Sequence, residues 1–214
     1  GDGSVFDDAI TMYRYKEPGT YTVSATVTSG EGISRTLTAN VTVTKGYEPP
    51  EYKGYGNLAY LGIITCNVGQ PMGSGSMDIE VIRDGKVTQT NLGQYDTFYY
   101  RGDAHEEYIG YIFSEAFVFD KLIFSEGMHF DNGGWFENGT LRIEALIDGS
   151  WKKLDVVSEP EYPNGNKQSD FGANFETYTF TFEPVKASGV RLIGSAGGSM
   201  HFISVAELEV YGSR

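Results

Sequence analysis

The chain of 214 residues carries 16 Lys and Arg against 29 Asp and Glu, a formal charge of 16 − 29 = −13, which repels nucleic-acid phosphates and gives an anionic membrane surface little to attract. Glycine (28 residues), tyrosine (15) and phenylalanine (13) are plentiful, a composition that suits many short strands joined by turns better than it suits helices. The single cysteine, Cys66, excludes an intrachain disulfide and a thiolate zinc cluster, and no apolar run approaches the ~18 residues of a membrane-spanning helix. The first predicted element is a β-hairpin. Tyr21, Val23, Ala25 and Val27 alternate with Thr22, Ser24, Thr26 and Thr28, and Leu37, Ala39, Val41 and Val43 alternate with Thr38, Asn40, Thr42 and Thr44. A period of two puts each apolar set on one face of a strand. Ser29-Gly30-Glu31-Gly32 between them supplies a turn with two residues free to take positive φ. Two strands alone are marginal, so the pair needs partners. With no signal peptide and no initiator Met, the chain reads as a mature piece of a longer protein.

Residues 1–44 carry a family resemblance. Gly1-Asp2-Gly3-Ser4, the corner Tyr15-Lys16-Glu17-Pro18-Gly19-Thr20-Tyr21-Thr22-Val23 and the two Thr/Val strands resemble the C-terminal half of a polycystic kidney disease (PKD) domain, a seven-stranded immunoglobulin-like sandwich. Residues 45–56, with Pro49-Pro50, form a short semi-rigid linker, since tandem prolines lack backbone donors and hold the chain extended. From residue 57 onward strand follows strand. Leu141, Ile143, Ala145 and Ile147 alternate before the Asp148-Gly149 turn, Tyr178, Phe180 and Phe182 alternate with threonines, Val190 to Ile193 is a short apolar strand, and Ala206, Leu208 and Val210 alternate with Glu207, Glu209 and Tyr211. Many short strands with glycine-rich turns make this part all-β, a sandwich or jelly roll large enough to bury one core.

The C-terminal stretch carries a second resemblance. Gly189-Val190-Arg191-Leu192-Ile193-Gly194, Gly197-Gly198-Ser199 and Phe202-Ile203-Ser204-Val205-Ala206-Glu207-Leu208-Glu209-Val210-Tyr211-Gly212 are similar to the end of a discoidin (coagulation factor 5/8 type C) domain, in particular to family 32 carbohydrate-binding modules. The family's early Asp-Gly is met by Arg83-Asp84-Gly85-Lys86, whereas its first-loop Trp is replaced by Tyr95-Asp96-Thr97-Phe98-Tyr99. The resemblance implies a galactose-binding-like jelly roll over 57–214 and one structural calcium ion. By position its ligands would be Asp84 and Glu207, carbonyls near Lys86 and Ala206, and the Thr88 hydroxyl. Calcium takes six to eight hard oxygens, many of which loops can supply as carbonyls; the bland alternative is an ordinary Asp-Gly turn and a surface Glu.

Sugar recognition needs aromatic faces for stacking and fixed polar groups for the hydroxyls. Three loops offer both: one with His129, Trp135 and Phe136, one with His201 and Phe202, and one with Tyr100, Arg101 and His105. The competing reading makes Trp135, Phe136 and Phe202 core aromatics and the histidines incidental. No nucleophile elbow, zinc-protease motif or phosphate loop is present, and Cys66 lies in an apolar strand, so catalysis is not expected. The expected function is a non-catalytic carbohydrate-binding module with a PKD spacer, from a larger secreted or cell-surface bacterial protein, with a glycan or polysaccharide and neighbouring domains as partners. The alternative is a structural or adhesive protein-interaction module.

Overall fold

The computed structural model describes residues 2–5, 15, 17–43, 54–69, 71–99, 103–164 and 175–214. The chain divides into two compact units, Gly1–Glu51 and Tyr52–Arg214. Most of the expected linker, residues 45–53, lies outside the described residues.

The first unit holds the hairpin. Strands β1 (Gly19–Thr28) and β2 (Ser34–Val43) pair antiparallel with Tyr21 opposite Val41, Val23 opposite Ala39 and Ala25 opposite Leu37. The turn closes as Gly32 N–H donates to the Ser29 carbonyl at 2.9 Å, with Gly32 at φ +81°. On the polar face hydroxyls pair across the strands, Thr26 with Thr36 at 2.8 Å and Thr28 with Ser34 at 2.7 Å. At the base, the Tyr21 ring stacks on Tyr15 at 3.9 Å and its hydroxyl donates to the Glu17 carbonyl at 2.7 Å, which fixes the chain entering β1. The apolar face is open, with Val27 70% and Leu37 75% exposed.

Among its described residues the second unit is all-β apart from three short 3-10 turns at Ala59–Leu61, Ile79–Arg83 and Asn91–Gly93. Its strands are β3 (Gly56–Asn57), β4 (Ile63–Cys66), β5 (Tyr95–Asp96), β6 (Glu106–Glu126), β7 (Arg142–Ile147), β8 (Ser150–Lys153), β9 (Val156–Glu159), β10 (Thr177–Ser195) and β11 (Ser204–Ser213). The order runs β3-β11-β6-β10-β7-β8, with β4 also on β6, β5 on β11 and β9 on β10. The long strands β6 and β10 each take part in two layers. The start of β6 pairs with β4 and the end of β10, and the end of β6 pairs with β11 and the start of β10. Register shifts in β10 between Thr181 and Val185 and between Ala187 and Gly189 accompany the passage from one layer to the other, since bulges bend and twist a strand.

The alternating residues Ile109, Tyr111, Phe119, Leu122 and Phe124 of β6, Ile143 and Ala145 of β7, Val190 and Leu192 of β10, and Leu208 and Val210 of β11 are buried in one core. The Tyr111 hydroxyl crosses it to donate to the Leu208 carbonyl at 2.6 Å, satisfying a polar atom that burial would otherwise penalise. No helix of the described residues is long and apolar enough to cross a membrane.

Candidate functional site

Where β6 ends and β11 begins, four segments meet around a cleft of about 140 Å³. Gly73 and Ser74 come from the segment before the 79–83 turn, Asp96 and Phe98 from β5 and the residues after it, Phe130 and Asn132 from the loop after β6, and Phe202 from the residues before β11. Three phenyl rings form the apolar wall. Phe98 meets Phe202 edge-on at 5.3 Å, and Phe130 lies 5.7 Å from Phe202. The Asn132 side-chain amide makes no hydrogen bond among the described residues and lines the cleft, so it is available to a ligand. Ser74 Oγ accepts from Asn91 Nδ2 at 3.3 Å, which leaves its own proton to donate.

A buried polar hub lies beneath. Asp96 Oδ1 accepts from Gln94 Nε2 at 2.6 Å and from Ser204 Oγ at 2.8 Å, and the Gly75 amide donates to the same carboxylate. Gln94 Oε1 in turn accepts from Met128 N at 2.6 Å. Gly75 is glycine for a steric reason, because a Cβ there would come within 2.8 Å of Asp96 Oδ2. Burial pushes the Asp96 carboxyl up to about 6, against the pull of its bonds from Ser204, Gln94 and Gly75.

The expected ligand residues are distributed differently. Phe202 lines the cleft. His129, at 1% exposure, is interior, with Nε2 3.4 Å from Glu126 Oε1 and its ring 5.4 Å from Trp135. Trp135 and Phe136 are also buried, Phe136 against Phe124 at 6.2 Å. The cause is local: bridges from Gly134 to Ile203 and from Phe136 to Ala196 sew this loop to the 196–203 segment, and Gly197, having no Cβ, lets the Trp135 indole pack against its backbone. These three side chains face the core instead of the cleft. His105 and His201 come together, ring centres 6.2 Å apart, but away from the cleft lining. His105 bonds to Glu107 Oε1 at 2.5 Å and to the Asp103 carbonyl at 2.8 Å, and His201 Nδ1 lies 3.3 Å from the Ala196 carbonyl. Tyr100 and Arg101 lie outside the described residues.

The expected calcium position can be tested against its own residues. Asp84 and Glu207 converge: Asp84 raises the Glu207 carboxyl electrostatically, second to burial, and together they push it up to about 7. Glu207 Oε1 accepts from Gly85 N at 3.3 Å and Asp84 Oδ1 from Lys86 N at 2.9 Å, while Glu207 Oε2 is buried with no hydrogen-bond partner among the described residues. Arg83 anchors this turn by donating to the Ala59 and Gly62 carbonyls at 2.9 and 2.7 Å. A buried oxygen without a donor, beside a second carboxylate, suits a hard cation. Among the described residues no three His, Cys, Asp or Glu side chains gather into a metal cluster, so backbone and hydroxyl oxygens would have to complete the shell. Thr88 is exposed and offers a hydroxyl and a loop carbonyl, whereas the buried Ala206 offers its strand carbonyl alone.

Of the lining residues, Phe130 and Asn132 lie in a loop the sequence reading offered without being singled out, and Gly73, Ser74, Asp96 and Phe98 were not among its candidates. Phe98 had a signal, since Tyr95-Asp96-Thr97-Phe98-Tyr99 stands where the similar family places its first-loop Trp. No family model matches the chain, and no curated protein matches it. Solved structures do share its fold. A family 32 module of Clostridium perfringens in complex with GalNAc-β-1,3-galactose matches with TM-score 0.50 at 19% identity, covering 72% of this chain and 99% of that one. The family 32 module of C. perfringens NanJ in complex with galactose matches with TM-score 0.50 at 17% identity, covering 73% and 98%. The Streptococcus pneumoniae β-galactosidase BgaA matches with TM-score 0.51 at 13% identity, covering 71% and 92%. The chain therefore contains an all-β, discoidin-like sandwich. Its fold is the galactose-binding-like jelly roll of family 32 carbohydrate-binding modules.

Proposed function

We propose that the second unit is a non-catalytic carbohydrate-binding module that holds one sugar ring in the Phe98–Phe130–Phe202 cleft. The observation that carries this reading is the cleft itself: three aromatic rings beside polar groups with unspent hydrogen-bonding capacity, in loops over a rigid sandwich. The apolar face of a pyranose packs on the phenyl wall, and the Asn132 amide and Ser74 hydroxyl read its hydroxyls. The fold neighbours solved with galactose and GalNAc-β-1,3-galactose support the ligand class. Single-site affinity of this kind is weak and gains from neighbouring domains of a longer secreted or cell-surface chain through multivalency.

Two further parts belong to the reading. Asp84 and Glu207, with oxygens near Lys86, Thr88 and Ala206, would hold a structural calcium ion, which would neutralise the two carboxylates and stiffen the 83–88 turn. The hairpin, with its Tyr21 corner and open apolar face, would be part of an immunoglobulin-like PKD spacer. The test is a glycan array with the full chain, followed by titration of Phe130→Ala and Asn132→Ala against the best ligand. Binding that both variants weaken supports the cleft; an array with no bound glycan overturns the reading.

A further inference from the structure

The four segments that line the cleft are tied together under its floor by the Gln94–Asp96–Ser204 hub, and each tie lies within a few residues of a lining residue. The Gly75 amide holds the segment of Gly73 and Ser74 to Asp96. Gln94 O accepts from Ser76 N at 2.8 Å, and Gln94 Oε1 accepts from Met128 N two residues before Phe130. Ser204, two residues after Phe202, reaches Asp96 from the start of β11. Phe98 itself is two residues beyond Asp96, and its carbonyl accepts from Met72 N at 2.8 Å. Gln94, Asp96 and Ser204 are all buried, so these bonds are not exchanged with water. Gly127 adds a close fit, since a Cβ there would meet Gln94 Oε1 and Ser204 Cβ, each at 2.7 Å.

Resting on the reading of the cleft as a glycan site, we infer that Asp96 is a positioning residue whose charge state sets the shape of the cleft and its hold on a sugar. The ionised carboxylate accepts from three donors at once. Protonation turns one oxygen into a donor; the oxygen that remains beside Gly75 is Oδ2, so a proton there faces the Gly75 amide and releases the Gly73–Gly75 wall. The titratable side chains on the surrounding segments are Asp78 ahead of the 79–83 turn, Tyr95 and Tyr99 on and after β5, Glu126 and His129 at the end of β6, Asp131 in the loop after it, His201 beside Phe202, and Glu207 and Glu209 on β11. Asp96 makes no hydrogen bond or ion pair with any of them among the described residues. The raised position of its carboxyl, about 6, places the change within reach of a mild pH series.

The experiment uses the full chain, with galactose as probe, between pH 5 and 8. NMR follows the Asp96 carboxyl, the Gly75 amide and the rings of Phe98, Phe130 and Phe202, and Kd is measured in parallel. Expected are a common titration of these signals and a Kd that weakens roughly 5- to 10-fold from pH 7.5 to pH 5. Ser204→Ala, which removes one donor to the carboxylate, is expected to shift that midpoint upward, and Asp96→Asn to flatten the profile. A merely structural Asp96 would alter stability without moving the midpoint in Ser204→Ala. A flat wild-type Kd profile, or a Gly75 amide and rings that do not follow Asp96, overturns the inference. If the rings follow Asp96 but galactose binds at no pH, the hub stands as the device that shapes the cleft and the reading of the cleft as a galactose site falls.

Discussion

Removal of the Asn132 amide separates ligand reading from folding. The side chain lines the cleft and makes no hydrogen bond among the described residues, so Asn132→Ala deletes no internal contact of that kind. A surface truncation of this sort changes stability by less than about 0.5 kcal/mol. For a domain of this size that is a shift in Tm of at most about 2 °C. A neutral hydrogen bond to a sugar hydroxyl is worth about 0.5–1.5 kcal/mol net. At 1.4 kcal/mol per tenfold, Kd should therefore rise about 2- to 12-fold. Isothermal titration against the best array ligand, with thermal melts of both proteins, reads the two quantities separately. A variant with unchanged Kd and unchanged Tm would remove Asn132 from the site. A large fall in Tm would refute the claim that its amide is free of structural duty.

Other perturbations have equally definite outcomes. Gly75→Ala would press a Cβ to within 2.8 Å of Asp96 Oδ2, and should cost about 1–3 kcal/mol of stability while weakening glycan binding; an unaltered melting curve would contradict the steric account. Because burial raises the Asp96 carboxyl from 3.8 to about 6, the native state holds that proton more tightly than the unfolded chain does. Its contribution is thus fully present below about pH 4 and is lost as pH rises through 6, about 3 kcal/mol at 1.36 kcal/mol per unit. The stability difference between wild type and Asp96→Asn, measured by urea denaturation across that window, should change in that sense, and a constant difference would refute it. Calcium at 100 times its Kd should stabilise the wild type by about 2.7 kcal/mol, and Glu207→Gln should remove most of that gain; a melt indifferent to calcium and chelator would end the calcium proposal.

The hairpin, β7, the start of β10 and β11 were legible because apolar and polar residues alternate along each, which a period of two displays directly. The strand β6 was not, because it passes from one layer to the other. Exposed Ser114 and Glu115 interrupt its alternation midway, and Glu107 and Glu126 are buried at its ends. The site was legible at the level of loops and much less at the level of residues. Loops after β6 and before β11 do build the cleft, and Phe202 is in its wall. Which aromatic of the 128–136 loop faces out depends on the bridges to Ile203 and Ala196, contacts between residues some 60 to 70 apart in sequence that no local pattern records. Glycine-flanked Trp135 was open to either reading, ligand platform or core aromatic, and the glycines around it serve close packing. Asp96 was hidden in a stretch noted only for its missing Trp, and its importance comes from Gln94 two residues before it and from partners in two other segments, Gly75 and Ser204.

The claim at the centre of this account is that one sugar ring sits against Phe98, Phe130 and Phe202. Chemical-shift mapping of the labelled full chain during titration with galactose tests it most directly. Perturbations confined to Gly73–Gly75, Phe98, Phe130–Asn132 and Phe202 are the predicted result. Saturable perturbations centred on His105 and His201, or on the outer strand around Trp151, with the three phenylalanines unmoved, would contradict it.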